Sequence, residues 1–130
     1  EYEEGGSLSL LLKHGTKTIL VHGSAGFSAG ALRGHQADVV FLGIGLLGKR
    51  NKTYKDAYWQ ETVKTVKARR VIPVHWDDFT RSLHVPLVPI PSPFDEFDKA
   101  MAFLIAQGEP EKIDVKLAPA WTPVDPFAGL

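Results

Sequence analysis

Residues 71–79 read VIPVHWDDF. The run opens as a buried strand does, with Val71, Ile72, Pro73 and Val74, and then turns at once into His75, Trp76, Asp77, Asp78 and Phe79. A neutral imidazole at a strand terminus can ligate zinc or iron through one ring nitrogen, and a neighbouring carboxylate can orient it or join it on the metal. The plainer reading is a strand that runs out into a polar loop, and for a single histidine without other context that reading is the commoner one. Which holds depends on what the rest of the chain brings to the same strand end.

Upstream, SLSLLLK at 7–13 alternates, with Leu8, Leu10 and Leu12 on one face, and predicts a strand. HGTK at 14–17 is a turn in which Gly15 can take a positive φ, and TILVH at 18–22 predicts a second strand, so 7–22 reads as a hairpin. ADVVFLGIG at 37–45 is a continuous apolar run, as expected of a strand buried on both faces. Thr53 offers a helix N-cap with Asp56 three residues on, opening a helix from 54 to about 69 with Ala57, Tyr58, Val63 and Val66 as its apolar face. Downstream, HVPLVPIPSP at 84–93 holds four prolines and reads as an extended crossing loop rather than a polyproline ligand. Ser92 is placed to cap a second helix with Pro93 at its first position; Phe94, Phe97, Met101, Leu104 and Ile105 line one side, and Gly108 and Pro110 end it. KIDVKLAP at 112–119 predicts a last strand. The order is β-β-β-α-β-α-β, an α/β (α+β) chain, with no repeat or linker dividing residues 1–130.

Composition narrows the function classes. A chain of 130 residues is one domain by length and can bury roughly two-thirds of its unfolded surface. Fifteen basic and fifteen acidic residues cancel with no basic stripe, which argues against nucleic acid or an anionic membrane as partner. With no cysteine there are no disulfides and no thiolate metal sites, so any metal needs His, Asp or Glu. No apolar run is long enough to span a bilayer and no leader is visible, which together with the absent cysteines suits the cytoplasm. The sequence opens EYEEGGSLSL without an initiator Met, as expected of a processed start or a piece of a longer chain.

Two glycine-rich stretches invite sharper readings. GIGLLG at 43–48 spells G-x-G-x-x-G after a strand, but a dinucleotide site needs the helix to begin inside the motif, and here KRNK intervenes. It reads as a glycine-rich exit from a buried strand. HGSAGF at 22–27 resembles a nucleophile elbow, yet His22 stands where the elbow needs glycine; a Ser24–His75–Asp triad is therefore a distant third reading. The loop can still border a site. His14, His35 and His84 fall in turns or loops and read as surface residues.

Taken in order, EEGGSLSLLLKHG, TILVHGSAGF, ADVVFLGIG, YWQETVKTVKARR, VIPVHWDDF and WTPVDPF resemble the C-terminal half of the metallo-β-lactamase superfamily, and among its members the bacterial metal-dependent hydrolases of lactonase-like or uncharacterised type. The resemblance covers almost the whole chain and rests on the order and spacing of segments, not on one motif. It implies half of an αββα sandwich with metal ligands at the strand ends along one edge. It makes His75 the last metal ligand, with Asp77, Asp78 and His22 as helpers and Gly23, Ser24 and Gly26 as the site-edge loop. The family's H-x-H-x-D-H signature has no counterpart here, and Ser24 stands at the position of its metal-bridging aspartate. A hydroxyl is a poor bridge between metals. The expected function is that of a metal-dependent hydrolase acting on a small molecule, with zinc (or iron or manganese) as cofactor, held weakly or not at all by this half. The expected partner is the missing N-terminal half or a second copy in a homodimer. The reading from another class is a non-catalytic, homodimerising binding module.

Overall fold

The computed structural model describes residues 7–130; the EEGG lead-in of the resemblance lies outside the described residues. The fold is mixed α/β, with a five-stranded sheet and two helices: β1 (Ser9–His14), β2 (Lys17–His22), β3 (Val39–Gly43), α1 (Lys52–Trp59), β4 (Arg70–Val74), α2 (Phe97–Glu111) and β5 (Asp114–Val115). β1 and β2 form an antiparallel hairpin whose two-residue turn places Gly15 at φ 59°, where a side chain is disfavoured. The other pairings are parallel, and the strands lie in the sheet in chain order, β1-β2-β3-β4-β5.

That order decides where the core sits. Parallel strands that step one way across a sheet, with crossovers of a single hand, leave their helices on one face. One cluster accordingly joins Leu20, Val40, Leu42 and Val71 of the sheet to Tyr58, Trp59, Val63 and Val66 after β3 and to Ala100 and Leu104 of α2. The register puts the alternate residues on the opposite face, in rows Leu10–Val21–Phe41–Ile72 and Leu12–Ile19–Val39–Arg70. Burial there falls off across the sheet: Val39 and Ile72 are buried, whereas Leu10 and Leu12 are 55% and 54% exposed. The C-terminal tail reaches this face, where the Arg70 guanidinium donates to the Pro126 carbonyl at 2.6 Å and to Asp114 at 2.7 Å, and the Lys17 ammonium lies 4.8 Å from the centroid of the Phe127 ring.

Element boundaries differ from the sequence reading at both helices and at the last strand, where only Asp114–Val115 of the expected 112–119 pair with β4. Asn51, not Thr53, caps α1: its Oδ1 accepts from the Tyr54 N–H at 2.8 Å, while Thr53 lies inside the helix. The predicted helix then continues as a π turn over Gln60–Lys64, in which Thr62 donates its hydroxyl back to the Tyr58 carbonyl. Trp59, Thr62, Val63 and Val66, spaced at i, i+3, i+4 and i+7, fall on one face and are all buried. The second helix begins at Phe97, four residues beyond the expected Pro93, because residues 92–95 build a wall beside β3 instead: Lys49 donates to the Pro93 carbonyl and Asp95 accepts from the Leu46 N–H. At its far end the helix passes through Gly108 and Pro110 to Glu111 and stops at Lys112, at φ 56°. Proline in a last turn removes only one helical bond. Gly108 is there for close packing, since a Cβ would come within 2.7 Å of the Ile113 carbonyl oxygen.

Candidate functional site

β2, β3 and β4 are parallel and end level, at His22, Gly43 and Val74, so the segments that follow them gather at one sheet edge. Ligands of α/β proteins collect at the carboxyl ends of strands for this reason. Here the edge holds a cavity of about 780 Å³ lined by Ser24 and Gly26 from the first segment, Gly45 and Leu46 from the second, and His75 and Asp78 from the third. Four of the residues singled out in the sequence, Ser24, Gly26, His75 and Asp78, thus share one cavity. Asp77 does not line it and bridges to Pro89, closing the base of the 77–89 excursion; Asp78 N–H donates to the Val88 carbonyl beside it.

The glycines of GIGLLG explain how these segments come so near. A Cβ on Gly43 would lie 2.5 Å from the Gly23 carbonyl carbon, so Gly43 lets the 23–26 loop close onto β3. A Cβ on Gly45 would lie 3.1 Å from His75 Nδ1, so Gly45 leaves room for the imidazole. A Cβ on Gly48 would overlap the Glu96 carbonyl, so Gly48 admits the wall that leads into α2. The motif belongs to the site through close approach rather than phosphate binding. His75 itself is exposed and stands at φ 56°, a left-handed conformation uncommon for a residue with a side chain and frequent at functional positions.

The loop over the cavity is held from beneath by three rings. The Tyr58 hydroxyl is placed to donate to the Ser24 and Gly43 carbonyls at 2.9 and 2.6 Å, the Tyr54 hydroxyl donates to the Ala25 carbonyl at 2.8 Å, and His22 Nε2 lies 2.7 Å from the Gly26 carbonyl. Burial, with Tyr54 adding to it, pushes the Tyr58 phenol far above its ordinary range, so it stays a donor. A carbonyl only accepts, so Nε2 of His22 carries a proton, and Nδ1 shares a hydrogen bond of 2.6 Å with the Ser9 hydroxyl. Both His22 nitrogens are engaged, and the residue lines a separate cavity with Ser9 and Phe27. In this conformation His22 clamps the loop. Gly23 serves the loop's approach to Gly43 and does not line the cavity of His75.

Asp78 Oδ1 accepts from both the Thr80 hydroxyl at 2.6 Å and the Thr80 N–H at 3.0 Å. These bonds, with Arg81 nearby, hold its carboxyl below the ordinary aspartate range. Two lining residues carried no signal in the sequence reading. Asp95 is buried and accepts from the Leu46 N–H at 3.0 Å and the Glu96 N–H at 2.6 Å, holding Leu46 at φ 63°. Arg50 lies with its guanidinium carbon 5.0 Å from the centroid of the Tyr54 ring. Nothing local distinguishes either from any charged residue in a loop.

A resident catalytic metal needs three protein ligands and an open position. Among the described residues no three His, Asp or Glu side chains come together in that way. His75 offers one imidazole, Ser24 offers a hydroxyl where a carboxylate is wanted, and His22 is engaged elsewhere. The donor set does not fit a metal held by this chain alone. No helix of the described residues is long and apolar enough to cross a membrane. No family model, curated protein or solved structure matches the chain.

Proposed function

We propose that the chain is the C-terminal half of a metal-dependent hydrolase of the metallo-β-lactamase superfamily, inactive or nearly so by itself. His75 would be one ligand of a site completed by an N-terminal half that carries H-x-H-x-D-H. The observation that carries this reading is the placing of His75. Its imidazole is exposed at the end of a parallel strand, given room by Gly45, and set in one cavity with Asp78 and the Ser24–Gly26 loop. A histidine merely closing a strand needs neither a cleared space nor a cavity.

Zinc titration followed by NMR tests it. The chain has five histidines. Zinc, the metal this reading favours over iron or manganese, is expected to shift the His75 ring signals first, and His75→Ala is expected to abolish that response with the fold intact. A response at any other histidine with His75 silent overturns the reading.

A second reading, the non-catalytic homodimerising module, is favoured by the sheet face opposite the helices. Leu10 and Leu12 stand 55% and 54% exposed on an edge strand, with Leu8, 82% exposed, just before it, beside half-buried Ile19, Val21 and Phe41. A contiguous apolar face of this kind marks an association surface. A second copy would cover it as the missing half would.

A further inference from the structure

We propose that the cavity of His75 takes a small anionic amphiphile, an apolar chain or ring carrying a carboxylate, and that Arg50 is the residue that recognises the charge. The proposal rests on reading this edge as a substrate site and names the substrate class. The volume, about 780 Å³, lies in the range of small-molecule sites. Leu46, Phe79, Ile90 and Phe94 supply its apolar wall. Phe79 and Phe94 are 72% and 70% exposed, so the wall is unfilled by the protein's own side chains, and an apolar ligand body would bury both.

The choice of charge follows from which polar groups already have partners. Asp95 accepts a backbone N–H at each oxygen, and Asp78 Oδ1 takes both donors of Thr80. The Arg50 backbone N–H donates to the Leu47 carbonyl at 3.0 Å, but its guanidinium makes no hydrogen bond or ion pair among the described residues. Its guanidinium is instead placed against the Tyr54 ring, the same ring whose hydroxyl holds Ala25 beside the cavity. Such a contact steadies the cation and leaves its N–H donors for an acceptor. The fork of an arginine matches a carboxylate in two parallel bonds. Asp78 keeps one oxygen without a partner, so a cationic ligand is the competing chemistry.

Calorimetric titration of the full chain in EDTA with octanoate, octan-1-ol and octylammonium separates these. One octanoate is expected to bind per chain, about tenfold more tightly than octanol, the difference one charge-assisted bidentate contact provides. Arg50→Gln is expected to bring octanoate down to octanol, and Phe94→Ser to weaken both together; both side chains are exposed, so unchanged melting certifies the fold. Octylammonium binding as tightly as octanoate, an unchanged ratio in Arg50→Gln, indifference to Phe94→Ser, or no binding of any of the three overturns the proposal. Octanoate selectivity with the zinc response falling on another histidine and His75 silent would leave this cavity assignment standing and remove the hydrolase reading. A zinc response without selectivity would do the reverse.

Discussion

At His75 the chain accepts a left-handed backbone at a residue with a side chain, and at Gly43, Gly45 and Gly48 it gives up side chains altogether. Both serve the same end, which is to bring three segments within contact of one another at a sheet edge. Tyr58 is the pin beneath them. Tyr58→Phe would leave the Gly43 and Ser24 carbonyls without their buried donor, an expected loss of about 1–3 kcal/mol in urea unfolding. Asp78 is the group whose titration reports the loop. Its folded carboxyl titrates below the ordinary aspartate value, so the stability it contributes is present above that value and is lost as pH falls through its own lower midpoint. Thr80→Ala removes the hydroxyl that is the largest cause, and the Asp78 midpoint followed by NMR is expected to move up toward the ordinary range.

The helices show how far local pattern reaches. The amphipathic face of the first was legible, since Tyr58, Val63 and Val66 are fully buried, but its cap was misplaced by two residues because Asn51 and Thr53 are both good caps by type. Asn51→Ala is expected to lower stability by about 1 kcal/mol and Thr53→Ala by much less, compared by thermal melting. The second helix was read four residues early for a different reason. Ser92 and Pro93 have the chemistry of a helix start, but the backbone there serves the cavity wall, held by Lys49 and by the Asp95–Leu46 bond. Those partners are more than 40 residues distant in sequence, beyond the range of any capping rule.

For the molecule as a whole, one sheet face is covered by helices and the other only in part, by the tail at Arg70 and Lys17. The uncovered end carries the leucines of β1. If association covers it, light scattering should give a dimer, and Leu10→Lys with Leu12→Lys should give a folded monomer; a wild-type chain that stays monomeric at high concentration would count against the face as an association surface. The alternation of Leu10 and Leu12, the apolar run of β3, the strand in VIPVHWDDF and the apolar faces of the two helices made the order of elements legible, because periodicity is a local consequence of which side of an element is dry. The choice of His75 as the residue to watch also came from the sequence, from a histidine at a strand end. Its surroundings did not. That Gly45 clears space for it, that Arg50 and Asp95 share its cavity and that His22 clamps a loop were decided only when parallel strands brought distant segments to one edge. Those are contacts between residues far apart in the chain, and no local pattern encodes them.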